Sequence, residues 1–212
     1  NSTHDCPPPL RLCARLGIPV GDTNGDGPML LLGREAAEVK AAELAVWRQR
    51  GLVLDAPAAA SLLRRNLACG VTAVESISAP NSERFGPDPL NGPYAGGAVA
   101  MWSAANKRYH RLQPLPDAEI LSTFHDAAGT PCSPAVLRWQ DAAGGRVAVL
   151  GWDLAAAIDE CQLHWSHARR HQLHRLLAWV GRRPLPCTVD APNVQVIVRR
   201  RTDGGIVVGV LN

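Results

Sequence analysis

The sequence predicts an α/β fold, a mostly parallel sheet flanked by helices, followed by the start of a C-terminal β module. Three observations lead there. Short apolar runs alternate with helical stretches between residues 29 and 77, and alternation with short connections favours a parallel sheet covered by helices. The runs at 29–32 and 51–54 are almost wholly apolar, as strands buried on both faces are. The last stretch, 193–212, reads as two β-branched arms around Thr202-Asp203-Gly204-Gly205, a hairpin whose second arm meets the chain end.

Taken in order, residues 1–27 form a Pro/Gly/Asp-rich lead-in linker with one helical turn around 10–16. The first strand is 29–32, and 35–50, rich in Ala, Glu and Leu, is a helix. Strand 51–54 runs into Asp55, a good N-cap, with Pro57 tolerated in the first turn of a helix over 58–67. Residues 71–77 are the third strand of the series. The stretch 79–116 reads as an irregular insertion, of a length that is usually functional or ordered by a partner. Strands follow at 120–124, 135–140 and 146–150, with Ala142-Ala143-Gly144-Gly145 as a hairpin turn between the last two. A helix covers 166–180, and the β appendage starts at 184. The expected division is a linker at 1–27, an α/β domain at 28–183 and the truncated start of a β-sandwich-like domain at 184–212. With Asn1 rather than Met at its start, the chain reads as a piece of a longer protein.

Composition narrows the function. The net charge is only +3, and 20 of the 22 basic residues are arginines, Lys40 and Lys107 being the exceptions. No basic run is interleaved with aromatics, so nucleic acid is not an expected partner. No apolar run approaches the roughly 18 residues of a membrane span, and the start lacks a signal-peptide pattern. The six cysteines, Cys6, Cys13, Cys69, Cys132, Cys161 and Cys187, are scattered without a Cys-x-x-Cys pair. They read as buried thiols of a reducing, cytoplasmic compartment.

An α/β chain with cysteines invites glutamine amidotransferase chemistry, which needs a Cys on a sharp strand-to-helix turn, with a His and a carboxylate to orient it. Cys69 is the nearest match, but it follows a helix and precedes a strand, and Asp55 occupies the strand-to-helix turn. Asp22-Thr-Asn24-Gly-Asp26-Gly27 copies half a calcium loop, but Gly33 stands where the bidentate Glu belongs. An ordinary turn explains it. His164, His167, His171 and His174 share roughly 80° of a helix face, opposite Leu173, Leu176, Leu177 and Val180. Pairs at i,i+4 can share a metal. With no carboxylate in the stripe, a polar outer face accounts for it, and no metal or cofactor is expected.

Glu75, Glu83, Asp88 and Asp153 lie at or near predicted strand ends, where open α/β sheets place ligands. Glycoside cleavage would need two of them opposed; caps and salt bridges are the plainer reading. Glu83, Arg84, Asn91 and Tyr94, in a Gly-rich loop region, suit ligand or interface contact. Of the six tryptophans, Trp47 and Trp179 fall in helical patterns as packing residues, while Trp102 and Trp152 lie near loops and suit ligand stacking.

The segments 51–59, 83–85 with 91–96, 144–149 and 192–196, in that order, resemble the amidotransferase-like domain that follows the catalytic barrel in bacterial beta-galactosidase-like glycoside hydrolases. That domain is related to the beta-galactosidase trimerisation domain. The resemblance covers about 28–212. It implies a flavodoxin-like fold without amidotransferase chemistry, catalytic carboxylates in an upstream barrel of the same chain, and a role in homo-oligomer assembly bordering a carbohydrate site. No catalytic residue carries over. The competing expectation is a stand-alone amidotransferase-like hydrolase using Cys69 or a His-bound metal.

Overall fold

The computed structural model describes residues 13, 18, 25–101, 109–154, 166–185, 187–188, 195–201 and 203–211. The strands are β1 (Met29–Leu31), β2 (Leu52–Asp55), β3 (Val71–Ile77), β4 (Ser82–Phe85), β5 (Ala98–Ala100), β6 (Tyr109–Pro114), β7 (Glu119–His125), β8 (Pro131–Gln140), β9 (Arg146–Leu150), β10 (Gln195–Arg200) and β11 (Ile206–Leu211). The helices are α1 (Ala41–Arg50), α2 (Ala56–Leu63) and α3 (His167–Val180), with 3-10 turns at Gly33–Ala37 and Pro89–Tyr94.

A seven-stranded sheet in the order β1-β2-β9-β8-β7-β4-β5 forms the body. Only β1–β2 and β2–β9 pair in parallel; β9–β8, β8–β7, β7–β4 and β4–β5 are antiparallel. The expected flavodoxin-like, mostly parallel sheet is therefore wrong: the fold is α/β with a mixed and mostly antiparallel sheet. The reason lies in β3. It leaves the main sheet and pairs antiparallel with β6 in a sheet of two strands. Its residues Thr72, Glu75 and Ser76 are exposed, the half-solvated pattern of an antiparallel strand, whereas β2 is buried at every position. The turn at Gly144 and Gly145 then forces β8 and β9 into a hairpin, since tight turns join only antiparallel strands. There Gly144 adopts φ +85, and the Asp141 carboxylate accepts from the Gly145 N–H at 2.7 Å.

The sheet is covered on both faces. Leu52, Leu54, Leu137, Val147 and Val149 join Leu44 of α1, Leu62 of α2 and Leu112 of β6 in one apolar cluster. The alternate residues Val53, Val136, Ala148 and Leu150 pack with Leu173, Leu176 and Val180 of α3 in the other. The region expected to be irregular, 79–116, holds β4, β5, β6 and the Pro89–Tyr94 turn. The helix expected over 35–50 is broken: a 3-10 turn ends at Ala37, and α1 restarts where the Lys40 N–H donates to the Glu43 carboxylate at 3.0 Å. At the end of β2, Asp55 caps α2 as expected. Its Oδ1 accepts from Ala58 N–H at 2.9 Å and from Gly33 N–H at 2.8 Å. β10 and β11 form the expected hairpin, and Ile206, Val207, Val208 and Val210 of β11 are 45–57% exposed.

Candidate functional site

Three of the residues named for ligand contact, Glu83, Asn91 and Trp152, come together, but buried under α3 rather than at the surface. Alternation along β4 turns Glu83 and Phe85 inward and leaves Arg84 exposed. Glu83 is fully buried, and its Oε2 accepts from Nη2 of Arg169, itself 1% exposed. Arg169 donates through Nη1 to Gln172 Oε1. Gln172 Nε2 donates to Asn91 Oδ1 at 2.8 Å, and Asn91 Nδ2 donates to the Gly86 and Leu121 carbonyls at 2.8 Å each. The chain of bonds thus runs from β4 through α3 to the Pro89–Tyr94 turn and back to the backbone of β7.

Trp152, expected to stack on a ligand, has no exposed surface. Its ring carries the Arg169 guanidinium at 4.3 Å, with Phe85 facing the same cation at 5.4 Å. Beyond it, Trp152, Phe124 and Tyr109 form a ladder of ring contacts at 5.8 and 5.6 Å. A guanidinium stacked on an indole and ion-paired to a carboxylate is an arrangement Arg makes well and Lys does not. Trp102 lies outside the described residues.

Arg169 and Gln172 were not anticipated, although a signal existed. Continuing the Leu173, Leu176, Val180 stripe back by one turn lands on both of them. Two polar residues on the inner face of a helix are informative, because buried polar groups are retained where they are hydrogen-bonded. Ser166, the N-cap whose hydroxyl accepts from Arg169 N–H at 3.1 Å, fixes where that face begins.

The remaining carboxylates are held separately. Glu75 faces Arg111 at 3.9 Å on the exposed two-stranded sheet. Asp88 caps Leu90 N–H at 2.8 Å and pairs with Arg138 at 3.1 Å. Asp153 lies beyond β9, where its charge acts on His110; burial outweighs that charge and holds His110 below its ordinary value. Three of the four are thus engaged by an arginine.

The histidine face also differs from a plain outer surface. His167 is exposed, but His171 and His174 are half-buried. Gly92 and Tyr94 of the 3-10 turn cover His171, and the Tyr94 ring meets it edge-on at 5.6 Å. His164 lies outside the described residues. Among those described, no group of three or more His, Cys, Asp or Glu is placed to hold a metal ion. In the calcium-like segment both carboxylate oxygens of Asp26 accept from Arg183 at 2.7 Å; Asp22 and Asn24 are not among the described residues.

The thiols suit packing. Cys13, Cys69, Cys132 and Cys187 are free, and Cys6 and Cys161 lie outside the described residues. Cys69 is fully buried between α2 and β3 with its Sγ toward the Ala59 carbonyl. Burial pushes this thiol up to about 11 against the lowering effects of a Val71 backbone bond and the Arg48 charge. A nucleophilic cysteine needs the opposite environment.

Trp47 and Trp179 pack as expected. Trp179 carries Arg138 and Arg146 over its ring at 5.3 and 5.0 Å, and its carbonyl accepts from Arg146 at 2.7 Å. Arginines at the C-terminal end of α3 answer its exposed carbonyls and the negative end of its dipole. No helix among the described residues is long and apolar enough to cross a membrane.

Set beside known proteins, the chain matches no protein-family model and no curated protein.

Proposed function

We propose that the chain acts as a non-catalytic structural and oligomerisation domain of a carbohydrate-active glycoside hydrolase, whose catalytic barrel lies upstream in the same protein. One observation carries the non-catalytic half. The Glu83–Arg169–Gln172–Asn91 network encloses the polar groups best suited to acid–base or sugar-binding chemistry, each of them at most 1% exposed. Groups buried and bonded to one another hold a helix on a sheet; they do not meet a substrate.

The inert Cys69 thiol supports the same reading, since the amidotransferase alternative depends on a reactive one. Assembly is supported by β11, where Ile206, Val208 and Val210 share one face and Val207 lies on the other, all four exposed. Contiguous exposed apolar surface marks interaction sites, and an unblunted strand edge is a ready template for pairing. The connection to carbohydrate-active enzymes rests on the ordered segments at 51–59, 83–96, 144–149 and 192–196.

Light scattering across a concentration series, with glutaminase turnover and iodoacetamide labelling measured on the same sample, tests the proposal. The expected result is self-association, no turnover and slow labelling of Cys69. A fast-reacting Cys69 with turnover overturns the non-catalytic half, and a strict monomer at every concentration overturns the assembly half.

A further inference from the structure

We propose that the Pro89–Tyr94 turn and α3 form a clasp that acid releases, with His171 as the group that opens it. The geometry is specific. Gly92 lies so close over the imidazole that a Cβ built there would stand 2.4 Å from His171 Nε2. Gly92 reaches this position with φ 53 and ψ −127 in the middle of the turn, a conformation that glycine adopts without steric cost. Tyr94 meets the same imidazole edge-on, its ring at 62° to it. Nε2 is buried and has no hydrogen-bond partner among the described residues.

A neutral imidazole fits this site with its proton on Nδ1, because Nε2 is then a bare acceptor against the Gly92 backbone. The imidazolium does not fit. It must carry a second N–H on Nε2, buried, aimed at Gly92 and without an acceptor, and such a charged donor is costly to leave unpaired.

The charges around the ring also oppose protonation. Burial holds His171 below the ordinary histidine value, and the charge of Arg175, one turn further along α3, adds to it. His167 and His174 lie on the same helix, one turn before His171 and just after it. From the turn, Tyr94 offers a neutral ring, and the carboxylate of Asp88 is engaged by Arg138 at 3.1 Å and Leu90 N–H at 2.8 Å. Beneath α3, the sheet presents Val53, Ala148 and Leu150.

The sign follows from linkage. Released, His171 titrates near its ordinary value of about 6.5; docked, it titrates lower. The released form therefore binds more protons, and docking is complete above the ordinary value and weakens as pH falls below it. Release stops at Asn91, which stays tied to Gln172, Gly86 and Leu121. The freed stretch is Gly92 to Gly97, whose Gly96 N–H and Gly97 carbonyl bond Phe85 and so align β5 on β4. Acid thereby loosens the edge strand of the main sheet.

Amide hydrogen exchange of residues 92–100, corrected for intrinsic rate and measured from pH 7.5 to 5, reads the clasp. Protection is expected to fall by up to about tenfold per pH unit between the ordinary value of about 6.5 and the lower docked titration point, one proton being taken up, and to level off below that point. His171→Phe keeps a ring against Tyr94 but cannot titrate, and its protection is expected to be flat with pH. Gly92→Ala is expected to expose the same amides at every pH. In the unaltered chain, the His171 imidazole resonance should titrate below the ordinary value. Flat protection in the unaltered chain, an equal loss in His171→Phe, or a His171 midpoint at or above 6.5 overturns the proposal.

Discussion

Replacing Glu83 with Gln keeps the shape of the side chain and its ability to accept from Arg169, and removes only the charge. Both partners are at most 1% exposed, so the substitution leaves a guanidinium buried without a counter-ion. Breaking a buried pair in this way typically costs about 3–5 kcal/mol. Arg169 keeps its bond to Gln172 and the faces of Trp152 and Phe85 at 4.3 and 5.4 Å, and a cation over an aromatic face retains about 0.5–2 kcal/mol. The expected loss is therefore about 3 kcal/mol, at the lower end of the range. Against a whole-domain stability of about 5–15 kcal/mol, that is a large fraction. It should lower the melting temperature by roughly 6–12 °C at this chain length. Urea unfolding followed by circular dichroism would show a reduced midpoint with an unchanged slope. The double variant Glu83→Leu with Arg169→Met removes both charges and should be less destabilised than Glu83→Gln alone, because apolar replacement of a buried pair is often neutral. A Glu83→Gln variant within about 0.5 kcal/mol of the unaltered protein, the range of ordinary surface substitutions, would refute the reasoning. So would a double variant no better than the single one.

Three further outcomes follow from other parts of the fold. Asp55→Ala removes the α2 cap and orphans Gly33 N–H together with Ala58 N–H; it should cost about 2–3 kcal/mol in urea unfolding, with Asp55→Asn recovering most of it. Gly51→Ala should destabilise by about 1–3 kcal/mol, since Gly51 has φ +106 and its new Cβ would meet the Val180 carbonyl oxygen at 2.2 Å; a melting curve that does not move would contradict this. Native Cys69 should resist iodoacetamide at pH 8 and react once urea unfolds the chain, because burial raises its thiol to about 11; mass spectrometry of the labelled peptide distinguishes the two.

Much of the fold could be read from the residues themselves. β9 has the expected bounds, and Asp55 caps the helix it precedes, as expected. The sheet is not mostly parallel because the three strand-like segments are not alike. β1 and the Leu52-Val53-Leu54 run of β2 are apolar throughout, but Val71-Thr-Ala-Val-Glu-Ser-Ile77 mixes apolar with polar residues, which already describes a half-exposed strand. The strands β4, β5 and β6 escaped detection because each is short or polar and owes its ladder to distant neighbours. Glu83, Asn91 and Tyr94 were visible as an unusual cluster, yet their partners Arg169, Gln172 and His171 lie some 80 residues away. Only the fold brings them together. A charged residue beside a glycine-rich loop ordinarily faces solvent, and Glu83 departs from that because Arg169 reaches it from α3.

The position of the network explains why this helix is docked through polar residues at all. Arg169 sits on the same face as Leu173, Leu176 and Val180, residues of similar shape that would pack on β2 and β9 in more than one register. Sliding α3 by one turn would keep that apolar contact but bring Leu173 against Glu83, burying a carboxylate without a partner. Such a charge costs several kcal/mol, whereas the alternative apolar packings differ by little. The ion pair therefore discriminates between registers even where it adds little net stability. Fixing the register also fixes which histidine lies under Gly92 and which arginine follows it by a turn. The buried pair and the histidine clasp are two consequences of one placement of α3.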